Sequence, residues 1–426
     1  MKKILSLSHL ILFSLFLSIG SATQYFDGEP VSVLDGDSAK PWMKVEHHKD
    51  AHPRFPSEPF HPKLVQFYPQ IKEAFQTAEP HSSEFLLHFA PNALNNDGTI
   101  VLLIPGANDD ATRRYARPLS THDENHLTSP GLMQYLDSKN YRVFAVTFSH
   151  YHGDNLYQAE HVANSIQRIQ QVLNTQEAVS LVTYSKGAMA ARLYLQSGGD
   201  LFGKTFLTSY RGDVRSVVFQ GGPILGLDTP FRYYLYNLTL MSEKIPAPLG
   251  VKSMVIYGSW KDAGICSIFS GYWPGQLQMI HDLRNHGIPH GVLSFTTDAN
   301  LSAVKLVNGG SSFFLQSHGL EKARVAGGRM IEALNSIGLP EGVGFALLAG
   351  NFPIIYDERY PGWKIPAGAE LTAASDGLVF VKSATFKEGL NAQGAQHLGT
   401  KVLSLNHIQL SRDKKAYEFV DQMLED

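Results

Sequence analysis

From Thr99 to Gly222 the chain alternates between two hydrophobic patterns. Continuous apolar runs as long as a buried strand occur at Thr99–Ile104, Tyr141–Thr147, Val179–Val182 and Val214–Phe219. Between them, apolar positions recur at helical spacing: Leu132–Leu136, then Val162, Ile166, Ile169 and Val172 within a helix over 157–174. A further helix follows Ser185, rich in small residues, and runs to about Ser197. Strands alternating with helices predict a mostly parallel sheet with helices on both faces.

The pattern loosens after Pro223. Aromatic residues crowd Phe231–Tyr236, and Trp260 and Trp273 follow. Met254–Tyr257 reads as a strand, Gln276–Asn285 and Leu320–Leu334 as helices. Strand-like runs return at Val343–Ala349, Leu378–Val381 and Val402–Leu405, and Tyr417–Leu424 reads as a closing helix. Residues 224–340 are therefore expected to be an insertion, a lid or cap, at the carboxyl ends of the strands, where such sheets bind ligands.

The amino-terminal part differs. Lys2 and Lys3 precede an apolar stretch, Ile4–Ile19, and small residues Gly20-Ser21-Ala22. This is the pattern of a secretory signal peptide cleaved after Ala22. The stretch falls short of the ~20 residues that a membrane span needs, and no later segment is apolar enough to span. A secreted or periplasmic location is expected. Residues 23–80, rich in Pro and His, read as an irregular arm with one short helix near Val65–Ala78. Asn96-Asp97-Gly98 between Phe85–Phe89 and Ile100–Leu103 reads as a hairpin turn. The domain proper is taken as 81–426.

Composition narrows the partners. The chain has 426 residues, 43% hydrophobic and 18% charged, with a net charge of −3 and no long Lys/Arg run, which gives no reason to expect a nucleic-acid partner. The single cysteine, Cys266, excludes an internal disulfide, so the fold stands on packing.

The chemistry centres on Val179–Ala191. A buried strand runs into Ser185, and Gly187, Ala188, Ala190 and Ala191 let the next helix pack closely on that strand. This geometry lifts a serine hydroxyl out of a sheet edge. A serine needs an imidazole base, and the imidazole an anionic partner. The chain order for this topology is nucleophile, acid, base. Asp376, in Ser375-Asp376-Gly377, and His407, in Leu405-Asn406-His407-Ile408, follow late strands and fit that order. Asp262 is the alternative acid and His318 the alternative base. Two N–H groups should form an oxyanion hole: Lys186, directly after the nucleophile, and Ala107, just past Pro105-Gly106. Each donor is worth roughly 3 kcal/mol of transition-state stabilisation. His150 and His152, with Asp154, are read as chance or pocket-lining residues rather than a metal set, and His47, His48 and His52 as solvated arm residues.

These three segments resemble secreted lipases and esterases of the α/β-hydrolase superfamily, similar to bacterial triacylglycerol lipases and yeast lipase B. The resemblance runs from about Thr99 to the C-terminus and is weakest over the insertion. It implies an α/β-hydrolase fold and a Ser185, Asp376, His407 triad. It also implies an ester or lipid substrate, transient contact with a lipid interface, and no cofactor. Two positions depart from the pattern. Thr183 replaces the first glycine of the elbow, and Pro105-Gly106 replaces His-Gly. Acidic residues matching the calcium site of many bacterial lipases are absent around His407, so no metal is carried over. The same triad would also suit a polyester depolymerase, a lactonase or an amidase. The other class of reading is an exported binding protein on an inactive scaffold.

Overall fold

The computed structural model describes residues 25–60, 69–116, 130–228, 271–288, 320–356, 366–369 and 373–425. Its centre is a nine-stranded sheet in the order β1-β2-β3-β5-β4-β6-β7-β8-β11. The strands are β1 (Ser32–Asp35), β2 (Lys44–Lys49), β3 (Glu84–Phe89), β4 (Ile100–Ile104), β5 (Arg142–Phe148), β6 (Val179–Tyr184), β7 (Val214–Gln220), β8 (Gly344–Gly350) and β11 (Gln396–Leu403). The six from β5 to β11 pair in parallel, and β1, β2 and β3 add an antiparallel edge. A small hairpin, β9 (Ile354–Tyr356) and β10 (Pro366–Ala369), stands apart.

Strands β4, β6 and β8 are buried along their whole length, as a parallel sheet covered on both faces requires. The helices α3 (Asn155–Leu173) and α4 (Gly187–Leu195) pack against each other on one face. The helices α1 (Ala111–Tyr115), α2 (Leu132–Asp137) and α5 (Lys414–Glu425) form a second contacting group. This is the α/β-hydrolase fold.

Several local expectations change. The segment before residue 80 is not wholly irregular: β1 and β2 extend the sheet, and β2 pairs along β3 from Lys44↔Phe89 to Lys49↔Glu84. Its helix is Pro69–Ala74. His47 and His48 are buried, not solvated, and pair with Glu84 and Glu46. The turn at 96–98 does not close a hairpin, because β5 lies between β3 and β4. The turn binds the entry to β5 instead, with Asn96 donating to the carbonyls of Asp137 and Tyr141.

Leu378–Val381 is not a strand. Asp376 Oδ1 accepts the N–H groups of Leu378 and Val379 and closes a turn there. Val379 and Phe380 are buried without joining the sheet, a known ambiguity of short apolar stretches. The last strand is β11, earlier and longer than Val402–Leu405. Leu320–Leu334 is broken at Gly327-Gly328-Arg329, where Gly328 and Arg329 have φ of 72° and 48°. Where Gln276–Asn285 is expected to be one helix, there are only a short helix at Pro274–Leu277 and a 3-10 turn at Arg284–His286, because Leu227 exchanges backbone hydrogen bonds with Met279 and His281.

The described parts of 224–340 belong to the main core, through Ile224, Trp273, Ile280, Leu320 and Ile331. The aromatic run at 231–236, Met254–Tyr257, Asp262, Cys266 and His318 lie outside the described residues, as do residues 1–24. Among the described residues no helix is long and apolar enough to cross a membrane.

Candidate active site

Strand β6 delivers Ser185 at its carboxyl end, and the chain must turn at once to start α4. Ser185 takes φ of 52°, the left-handed region that L-residues avoid, and its N–H is fixed to Gln220 O at 2.9 Å. Such a strained residue persists only where its surroundings hold it. Two glycines make the turn possible. A Cβ on Gly187 would lie 2.5 Å from Pro105 O, and one on Gly106 would lie 2.8 Å from Ser185 Cβ. The loop after β4 is therefore pressed onto the elbow. Thr183, at the position expected for glycine, is fully buried, and its hydroxyl points toward Val218 O at 3.4 Å. Its bulk is taken up between β6 and β7.

The loop after β11 carries His407, and the long connection after β8 carries Asp376. Their backbones meet: His407 N–H donates to Asp376 O at 2.8 Å. Asn406 steadies this loop by donating to Ile354 O and accepting from Gln409 N–H. The side chains form one line. His407 Nδ1 lies 2.7 Å from Asp376 Oδ2, and His407 Nε2 lies 2.9 Å from Ser185 Oγ. Asp376 and His407 are buried, and Ser185 is partly exposed. With Nδ1–H donating to the carboxylate, Nε2 is left to accept from the serine hydroxyl.

The two expected N–H donors adjoin this elbow: Lys186 follows Ser185 in sequence, and Ala107 follows Gly106, where a Cβ would lie 2.8 Å from Ser185 Cβ. Neither makes a hydrogen bond with the described residues. Unpaired backbone donors beside a strained serine are the form an oxyanion hole takes. The structure thus brings Ser185, His407 and Asp376 into one hydrogen-bonded line.

Sequence reasoning missed the buried groups around this line. The Lys186 side chain is buried, and its ammonium donates to Gln158 Oε1. Burial lowers its pKa to about 7, opposed by the negative charges of Glu58 and Asp154. Glu58 comes from the amino-terminal segment and accepts the Asp154 N–H at 2.7 Å. Burial raises its pKa to about 7. On the opposite side, Tyr184, Arg114, Asp109 and Ser411 form a second buried network. Only Tyr184 is flagged by position, since it precedes the nucleophile.

The His150, His152 and Asp154 group is engaged with protein partners. His150 Nε2–H donates to Pro59 O, its Nδ1 accepts the His152 N–H, His152 pairs with Gln276, and Asp154 caps α3. Among the described residues no three His, Cys, Asp or Glu side chains gather as a metal site requires.

Fold and site together define an α/β-hydrolase scaffold carrying a hydrogen-bonded Ser-His-Asp line at its strand ends. Compared with known proteins, no family model and no curated protein matches the chain. Among solved structures it is similar to the Bacillus licheniformis lipase BlEst2 in mature form, at 14% identity and a TM-score of 0.37, over 77% of this chain and 92% of that one. It is also similar to esterase B from Lactobacillus rhamnosis, at 13% identity and a TM-score of 0.38, over 81% and 79%. A Pyrococcus furiosus esterase follows at 12% identity and 0.38, over 80% and 85%.

Proposed function

We propose that the protein is a serine hydrolase that cleaves carboxylic esters, of lipase or esterase type. The observation that carries this reading is the line from Ser185 Oγ through the His407 imidazole to Asp376, at 2.9 and 2.7 Å. His407 Nε2 takes the serine proton as Oγ attacks the ester carbonyl. Asp376 holds the imidazole in the required tautomer and stabilises its cation. The Ala107 and Lys186 N–H groups receive the developing oxyanion. Collapse of the tetrahedral intermediate breaks the ester C–O bond, and His407 gives its proton to the departing alcohol. Water then attacks the acyl-enzyme with His407 as base, which releases the acid and restores Ser185.

The signal-like start, Lys2 to Ala22, supports export of the mature chain to the periplasm or beyond. Mass measurement of the exported chain should place its first residue at Thr23. A lipid substrate would bring the protein to an interface transiently. Activity against p-nitrophenyl esters of rising chain length, below and above their solubility, separates a lipase from an esterase.

The decisive experiment is Ser185→Ala. Turnover of p-nitrophenyl butyrate should fall by at least roughly 10⁴-fold, and labelling by a fluorophosphonate probe should vanish. A variant that keeps wild-type turnover sinks the proposal.

A further inference from the structure

We infer that Tyr184 is a positioning residue, which holds His407 in register with Ser185 through a buried clasp that also grips the oxyanion loop. The inference rests on the hydrolase reading above and adds a device to it. Tyr184 precedes the nucleophile, so its side chain leaves β6 on the other side of the strand from Ser185. Its phenol donates to the backbone carbonyl of His407 at 2.9 Å, in a fully buried setting. Its ring lies 5.0 Å from the imidazole, centroid to centroid. The nucleophile and its base are thus tied through adjacent residues of one strand end.

The clasp extends in two directions. The Arg114 guanidinium sits over the Tyr184 ring at 4.1 Å. Arg114 also pairs with Asp109, two residues after Ala107, and donates to Ser411 Oγ at 2.8 Å, four residues after His407. On the near side, a Cβ on Gly106 would lie 3.0 Å from Tyr184 Cδ1, so the oxyanion loop rests on the same ring. Three strand ends, those of β4, β6 and β11, therefore meet at one tyrosine. Loss of the phenol hydroxyl would free the His407 backbone without touching the reacting atoms. Small misplacements of a base cost rate, since a shift of about 1 Å can cost about 10²-fold.

Tyr184→Phe keeps the ring and the cation above it and removes only the hydroxyl. Its kcat should fall about tenfold with KM within about twofold of wild type. Fluorophosphonate labelling should still reach one probe per chain, but at a rate lowered with kcat/KM. In a variant whose melting curve shows it folded, a labelled fraction that falls in step with kcat overturns the inference. So does wild-type kcat. If this variant does not fold, Arg114→Met carries the test, since it leaves the hydroxyl and removes the cation. It should show the same split at about threefold, and unchanged kcat counts against the clasp. Turnover surviving Ser185→Ala defeats the hydrolase reading itself. Wild-type kcat in Tyr184→Phe, in a protein that Ser185→Ala silences, defeats only the clasp.

Discussion

His407 and Lys186 flank the same serine, and both side chains are buried, yet their polar neighbours differ in kind. Around His407, charges have bonded partners. Asp376 receives the imidazole and two backbone N–H groups, and Arg114 pairs with Asp109. Around Lys186, a buried ammonium and the half-buried Glu58 are not joined in an ion pair. The ammonium reaches only the neutral Gln158 among the described residues, and Glu58 accepts a backbone N–H. Buried charges without a contact partner drift toward neutrality. That drift is what places Lys186 and Glu58 both at about 7. Lys186 and Glu58 therefore both change charge near neutral pH.

The largest break of this comparison comes from Asp376→Asn. The amide oxygen can still cap Leu378 and Val379, so the turn should survive. The amide nitrogen would then face His407 Nδ1 and donate to it, which forces the proton onto Nε2. An Nε2 that already carries a proton cannot take the one from Ser185. We expect kcat to fall by roughly 10³- to 10⁴-fold with little change in thermal stability, read from ester turnover beside a melting curve. A loss under tenfold would mean that Asp376 is not the orienting acid.

How much of this was legible in the sequence follows from where the determinants lie. Ser185 and His407 sit in local motifs just past strand ends, Asp376 sits in a turn motif between β8 and β11, and their order along the chain matches the topology. Local spacing is enough to find them, though it leaves Asp262 and His318 as alternatives. The flanking networks carry no such mark. Arg114 meets Ser411 across 297 residues and Glu58 meets Asp154 across 96, and neither pairing leaves a trace in periodicity. The turn at 96–98 shows the opposite failure. Its local signal is real, but the partner strand was decided by β5, whose Phe148 pairs with Phe85 and whose Arg142 pairs with Ile100. The apolar run at 378–381 misled for a similar reason: burial wrote the hydrophobicity, while the Asp376 side chain decided the backbone.

A smaller and more selective break comes from Glu58→Gln. The amide can still accept the Asp154 N–H, so only the charge is removed. The folded pKa of Glu58 is raised from 4.5 to about 7. The folded protein therefore holds a proton that the unfolded chain has released between those values. Stability from this group is full below pH 4.5 and declines as pH rises to about 7. Lys186 runs the other way: its folded pKa is lowered from 10.5 to about 7, so its contribution is full above pH 10.5 and declines as pH falls to about 7. The pair makes the Lys186 side least stable near neutrality. Relative to wild type, Glu58→Gln should gain about 2 to 3 kcal/mol between pH 5 and pH 8, at 1.36 kcal/mol per unit. Urea unfolding at the two pH values checks it, and a difference that does not change with pH refutes the assignment.

The smallest effect should come from the His407 side, and its value lies in being flat. Ser411 Oγ accepts from Arg114 at 2.8 Å and donates to Ile408 O at 3.3 Å. Ser411→Ala removes one neutral acceptor from a buried guanidinium, a change worth about 1 kcal/mol. Arg114 keeps Asp109 and the face of Tyr184, so the base should stay in place and kcat should change by less than about threefold. Neither Ser411 nor Arg114 changes charge between pH 5 and 8, so the loss should be the same at both ends of that range. Urea unfolding at pH 5 and pH 8 would then give two parallel offsets, where Glu58→Gln gives a sloped one. A pH-dependent loss in Ser411→Ala would mean that removing this hydroxyl disturbs a titrating neighbour, and the purely neutral role given to the Arg114–Ser411 bond would fail.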